Sequence, residues 1–482
     1  MEELLFMGDY EVARFILQRA LALIYLIAFS VTLNQFPALV GEDGLQPIRP
    51  FLERISFWRA PSIFHWHYSD RFLRAVSWGG ILLSIAAFAS FLVPLPVWLY
   101  MLNWFILWAL YLSIVNVGQT FYGFGWESKL LEAGFYAIIL GPVHVATPLL
   151  LIWIFNWLIF RVEFGAGLIK IRGDQCWRDL TCMYYHQETQ PMPNPLSRYF
   201  HLSPGPFHRL ETLFNHIVQL GIIWFIFFPQ PIASIAAGLI ILSQLYLVIS
   251  GNYSWLNWMT IFLAVSGISD PVFHMVLGST QWIPPAAGAP LYFQILVGIL
   301  TLLVAYLSIE PIRNLISRNQ LMNFSFNPFH LVNTYGAFGS VTKERYEIII
   351  EGTNDPTGNP EAEWKAYEFK AKPGDTRRMP PQIAPYHLRL DWQMWFAAMS
   401  SYLHHPWFPR LLRKILKGEE ATINLLKSNP FPDEPPAYIR ARLFHYRYAN
   451  VEERRETGQW WIRRYVKDYY PSTSRKELKT IK

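Results

Sequence analysis

A chain of 482 residues that is 52% hydrophobic, 17% aromatic and only 16% charged carries more apolar surface than a soluble core needs, since soluble domains hold roughly 25% charged residues. Its two cysteines exclude a disulfide framework. The formal charge of +6 is uneven, with 27 Lys+Arg against 18 Asp+Glu in 311–482 and 14 against 17 in 1–310; because both signs are interspersed, no nucleic-acid partner is expected, and anionic membrane lipid or an acidic client suits the basic tail better.

The acidic pair Glu2-Glu3 precedes the first apolar run and no small-residue cleavage site follows it. The run therefore reads as a retained span, not a signal peptide. Crossing a hydrocarbon layer takes about 20 mainly apolar residues, because unpaired backbone groups are not tolerated in lipid. Phe15–Leu33, Val76–Val93, Leu95–Val115, Val145–Phe160, Ile217–Phe228, Ile232–Ile249 and Leu291–Ile309 meet that demand. Leu130–Leu140 and Leu256–Ile268 are shorter or interrupted by groups such as Glu132, so each is either a further span or a buried or re-entrant element; eight or nine spans are expected.

Three stretches are too polar for lipid: 34–75, 163–212 and everything after about 311. In the last, Tyr346–Glu351 and Trp364–Lys370 flank a Gly/Pro/Asn/Asp-rich segment, the pattern of two strands joined by a long loop, and Ala437–Tyr448 and Gln459–Tyr470 predict later strands. Asp391–Leu403 predicts a helix N-capped by Asp391 with an aromatic face of Trp392, Trp395 and Phe396. A second helix is expected over Phe408–Lys417, ending at Gly418. The expected fold is a polytopic α-helical membrane bundle in 1–310, followed by a soluble α+β domain with antiparallel strands in 311–482.

Several segments are too idiosyncratic to follow from composition: the Cys176–His201 stretch, Gly125-Trp-Glu-Ser128 with Leu130-Leu-Glu132, Val332-Asn-Thr-Tyr-Gly336, Glu347-Ile-Ile-Ile-Glu-Gly352 and Leu390–Ala398. Together they resemble the lipase maturation factor family along nearly the whole chain. That resemblance implies a membrane-bound assembly or folding factor for exported or secreted proteins such as lipases. It also implies residence in the endoplasmic reticulum membrane in a eukaryote, or in the inner or plasma membrane in a bacterium. On this reading Trp392, Trp395, Phe396, Cys176, Trp177, Cys182 and His186 serve client binding or structure, and no cofactor or metal is needed.

The wider superfamily resembles the vitamin K-dependent γ-carboxylase, in which a lysine at a helix exit, shortly before an Asp-x-x-Trp-like element, is the base. Lys170 stands before Asp174 and Trp177 at a different spacing, so the alternative function is a membrane enzyme acting on a lipid-soluble or quinone-like substrate. A buried lysine can act so, and the bland alternative is a structural or snorkelling lysine. Glu127, Glu132 and His216, at the edge of spans or inside them, are candidates by the cost of burying charge in lipid, with bundle packing by hydrogen bonds the favoured role for the glutamates. Cys176 and Cys182 either pair, if their Cα atoms come within roughly 7 Å, or remain two buried thiols; their spacing makes neither a C-x-x-C redox site nor a zinc site. Asn323-Phe-Ser325 fits the glycosylation acceptor pattern.

Overall fold

The computed structural model describes residues 9–278, 286 and 288–477; Glu2 and Glu3 lie outside the described residues. Among the described residues, seven helices are long and apolar enough to cross a membrane: Glu11–Leu39, Asp70–Leu92, Val97–Val117, Leu149–Arg172, Gly205–Phe227, Ile232–Ser250 and Leu291–Ile316. They are called the first to seventh spans below. Leu256–Gly267 and Asp270–Leu277 form a pair bent by 110° that makes the count eight if it is one span. The remaining run expected around Leu130–Leu140 lies in a helix of only 13 residues, Gly125–Ala137, with ten of them buried. That helix is too short to cross alone, but the stretch it opens runs through the bundle: Glu127 near its start pairs with Arg389 of the tail, while the Pro142 and Val143 carbonyls beyond its end accept from Arg14 in the first turn of the first span.

The second span starts where the Ser69 side chain accepts a hydrogen bond from Phe72 N at 3.1 Å, with Asp70 in the first turn complementing the helix dipole. It lies along the first span. Edge-on aromatic contacts of Tyr25 with Trp104 and Tyr111, and of Phe29 with Tyr111, tie the first span to the third. The fifth span is not a continuous α-helix. After His216 it widens into a π turn, Ile217–Gly221, and then tightens into a 3₁₀ stretch, Ile222–Phe227, which displaces the side chains of that turn toward the fourth span.

The polar stretch expected to begin at 163 begins ten residues later, because the fourth span continues to Arg172 and is capped by Gly173. Glu163 and Lys170 misled the sequence reading: both are polar, yet both point into the bundle and are buried.

The tail forms a four-stranded antiparallel sheet in the order β2-β1-β5-β6, with β1 Arg345–Thr353, β2 Lys365–Ala366, β5 Tyr438–Tyr448 and β6 Trp461–Ser474. A separate antiparallel pair joins β3 Glu368–Phe369 to β4 Leu426–Ser428. The central strand β1 pairs Ile348 with Leu443 and Ile350 with Ala441, buried on both sides. Helices Arg389–Ala398 and Trp407–Leu416 pack beneath, the second followed by Gly418 at φ +65°, a conformation that suits glycine. Leu388, not Asp391, caps the first of these helices. Asp391 sits inside its first turn and accepts from Ala371 N at 2.7 Å and Lys372 N at 3.0 Å, because these unpaired loop amides lie closer than the helix's own.

One continuous hydrophobic core runs from the first span to Tyr470, so bundle and tail bury surface against each other. Polar contacts fix their junction. Gln35 accepts from Arg389 N at 3.0 Å and donates to His387 O at 2.7 Å. Arg345 of β1 donates to Gln190 O at 2.5 Å, and Arg198 donates to Ala449 O at 2.9 Å, which anchors the loop after the fourth span to the sheet.

Candidate functional site

The loop that leaves the fourth span is built around Asp174, whose carboxylate accepts from Cys176 N at 3.1 Å and starts the short Gln175–Arg178 helix. That turn brings Cys176 and Cys182 to a Cα separation of 4.8 Å, and they form a disulfide. The bridge packs with Trp177, Met183 and Val341. Trp177 donates its indole N–H to Phe338 O at 2.8 Å and presents its ring 4.9 Å from Lys170 Nζ. His216 contacts the Trp177 carbonyl at 3.0 Å through Nε2.

Beneath this loop the bundle encloses a cavity of about 680 Å³. Gly125, Lys129, Glu163, Lys170, Trp177, His186, Gln219, Tyr253, Asn257 and Tyr335 are among its lining residues, with Leu210, Phe214, Leu242 and Leu245 on its flank. Such a volume falls within the 300–1,000 Å³ typical of small-molecule sites.

The polar end is arranged around Glu163, which accepts from Gln219 Nε2 at 3.0 Å and Gln244 Nε2 at 2.8 Å. Gln219, on the π turn, also accepts from Lys170 Nζ at 3.0 Å, and Asn215 takes a second bond at 2.8 Å. Lys129 donates to Leu256 O at 2.7 Å and Thr260 Oγ1 at 2.8 Å. His186 is buried against Tyr253, its Nε2 3.0 Å from the phenol oxygen. Burial, reinforced by the Lys170 charge, drives the His186 pKa down to about 3, so this ring is neutral. It can accept or donate a hydrogen bond but carries no charge of its own. Among the described residues no three His, Cys, Asp or Glu side chains gather as a metal would require.

Of the sequence candidates, Lys170, Trp177 and His186 thus meet at one cavity, whereas His216 stands behind Trp177. Asp174 and Asp179 do not pair with Lys170; Asp179 accepts from Gln175 instead. Glu132 is ion-paired with Arg161 and accepts from Asn333 N at 2.8 Å and Tyr335 Oη at 2.8 Å. Glu127 is ion-paired with Arg389 at 2.8 Å. Both glutamates therefore brace the bundle. Trp392 is buried against Trp126 and Phe124, Trp395 donates to Thr189 O at 3.0 Å, and Phe396 is the member of the trio that is exposed. The expected single aromatic face is split: the bundle covers Trp392, while Phe396, one turn on, is exposed beside buried Ala397 and Ala398. Asn323 is exposed at φ +54° with its side-chain oxygen accepting from Gly336 N at 3.3 Å.

Sequence reasoning passed over Lys129, Glu163 and Gln219. The signal was present for two of them, since a charged residue within an apolar run marks a functional site by default, but Glu163 was assigned to a loop and Lys129 lay just ahead of a weak run.

Two family profiles match the chain: one described as lipase maturation factor transmembrane domain over residues 12–275, and one described as lipase maturation factor C-terminal domain over residues 331–471. Lipase maturation factor 1 of Mus musculus is 42% identical, the match covering 98% of this chain and 89% of that protein. The Homo sapiens protein of the same name gives 42% identity with the same coverage. Lipase maturation factor 2 of Homo sapiens is 27% identical over 97% of this chain and 83% of its own length. No solved structure matches significantly.

Proposed function

Because the chain belongs to the lipase maturation factor family, we propose that it is a membrane-embedded assembly factor whose clients are exported lipases. The observation that carries this reading is colinear similarity across bundle and tail together, 42% identity over 98% of the chain. Holding a partly assembled client needs surface, not a reacting group, and the tail with the 173–204 loop offers a continuous one. The test is rescue: the chain is expressed in cells deprived of their own lipase maturation factor, and active lipase is measured in the medium. Restored secretion is expected. Normal abundance in the membrane with no secreted activity would refute the proposal.

We further infer that the tail faces the extracytoplasmic side, the lumen of the endoplasmic reticulum in a eukaryotic cell or the outside of the plasma membrane in a bacterium. The basic tail argues otherwise by the positive-inside rule, but that rule weakens for long folded segments. The Cys176–Cys182 disulfide supports the inference, because it packs on Val341 at the start of the tail and disulfides persist in oxidising compartments.

A second reading is favoured by one observation, the meeting of Lys170 and His186 at a single cavity. A membrane enzyme acting on a lipid-soluble or quinone-like substrate, with Lys170 as base, requires that convergence. Two amide oxygens accept from the Lys170 ammonium. Lys170→Arg separates the readings, since guanidinium cannot act as a neutral base. Retained lipase maturation is expected; a stable, inserted, inactive variant would favour the enzyme.

A further inference from the structure

Several buried charges elsewhere in the molecule are directly ion-paired, Arg14 with Glu11, Arg161 with Glu132, Arg389 with Glu127, and both Arg345 and Lys372 with Glu347, and others are held by backbone groups, Arg198 by the Ala449 and Asn450 carbonyls and Asp391 by the Ala371 and Lys372 amides. Lys129, Glu163 and Lys170 form a third group. All three are buried, all three line the cavity, and their hydrogen bonds run to neutral amides, a hydroxyl and a carbonyl. The Glu163 charge acts on both lysines without a direct ion pair, and burying charges without direct pairing is costly.

Donor counting gives the cost a direction. An ammonium has three protons, and each of the two lysines has two protein acceptors among the described residues. One N–H on each has no protein oxygen or nitrogen among those residues to accept it, and the Lys170 ammonium also lies 4.9 Å from the Trp177 ring. Each Glu163 oxygen accepts one hydrogen bond, from Gln219 and from Gln244. The other carboxylate on the wall, Glu211, is engaged by the Tyr246 hydroxyl and by His208 Nδ1 at 3.0 Å. The polar end therefore offers unused ammonium donors, while each carboxylate on the wall already accepts on both of its oxygens.

The flank of the cavity has the opposite character. Leu210 of the fifth span and Leu242 of the sixth are 60% and 56% exposed on faces that only hydrocarbon can cover in a membrane. A chain lying between these two spans would reach the charged end without passing through water.

We propose that this cavity binds a long-chain carboxylate, its acyl chain between the fifth and sixth spans and its carboxylate accepting the remaining N–H groups of Lys129 and Lys170. A volume of about 680 Å³ suits one chain with a small head better than a two-chain phospholipid. The site is independent of the function the protein performs, because it rests only on charge, hydrogen bonding and shape.

The experiment is saturable binding of radiolabelled oleate to the full-length protein in detergent, with unlabelled competitors. Oleate is expected to compete at least about ten-fold better than methyl oleate, which lacks the anion, and than butyrate, which lacks the chain. Lys129→Gln and Lys170→Gln should each weaken binding by about ten-fold, while Lys170→Arg, which keeps the charge, should stay within about three-fold. Equal competition by methyl oleate, or full affinity in both glutamine variants, would overturn the carboxylate assignment. Absence of saturable oleate binding, or equal competition by a dioleoyl phospholipid, would overturn the single-chain site. Should the variants fail to fold, competition on the unaltered protein still decides.

Discussion

Arg389 of the tail and Glu127 of the membrane bundle form a fully buried ion pair at 2.8 Å, 262 positions apart in the chain. Arg389 also donates to Phe121 O at 2.7 Å and stacks its guanidinium 3.5 Å from the Tyr122 ring, so one side chain fastens the tail to the turn between the third span and the Gly125–Ala137 helix. Removing one partner leaves the other charge buried and uncompensated, which costs about 3–5 kcal/mol. Glu127→Gln and Arg389→Met are each expected to lower membrane abundance and the unfolding temperature in detergent, and the double variant to recover part of the loss. Single variants as stable as the parent would contradict the junction described.

Trp392 and Phe396 lie one turn apart in one helix but differ in burial. Trp392→Ala should cost about 3–5 kcal/mol through the cavity it opens against Trp126, seen as lost abundance. Phe396→Ala should leave abundance unchanged and weaken crosslinking to a lipase client. Wild-type crosslinking in that variant would remove Phe396 from the client surface.

The Cys176–Cys182 bridge closes a loop with a sequence separation of 6, for which the chain-entropy estimate gives about 2 kcal/mol. A Cys176→Ser/Cys182→Ser variant should therefore fold with a reduced unfolding temperature and show greater protease sensitivity within 173–190. An unchanged digestion pattern would show that Trp177 and Val341 hold the loop without the bridge.

Four histidines outside the spans set an acid limit. Burial holds His186 down to about 3 and His201 and His330 to about 4, and burial with the Arg389 charge holds His387 well below its ordinary value. The unfolded chain takes up these protons first, near pH 6.5, so stability is full above that pH and falls as pH drops toward the folded values, by up to about 1.4 kcal/mol per pH unit for each ring. Burial raises the carboxyls of Glu188 and Asp391, which works in the opposite sense at lower pH and reduces the slope. Unfolding temperature in detergent should drop between pH 7 and pH 5.5; a flat profile over that window would refute the assignment.

The sequence by itself determined the spans, the alternating strands and the family resemblance, because hydropathy and strand alternation are local: a run such as Ile232–Ser250 needs no knowledge of its neighbours to be read as crossing lipid. It also fixed that Lys170, Trp177 and His186 lie on one stretch of chain. Only the tertiary structure decided what those residues face. Glu163 and Lys170 looked like loop residues because polarity was judged without the partners that bury it, and Gln219, 56 residues from Glu163, reaches it through a π turn that hydropathy does not register. Trp392 and Phe396 share a helical spacing that assigns them one face, and burial separates them because Phe124 and Trp126 of the bundle cover Trp392 and leave Phe396 exposed. Glu132 read as an interruption in an apolar run, and became a bracing residue when Asn333, 201 positions away, supplied its hydrogen bonds. Charge burial is settled by partners distant in sequence, so the cavity and the bundle–tail junction were legible only once the chain had folded.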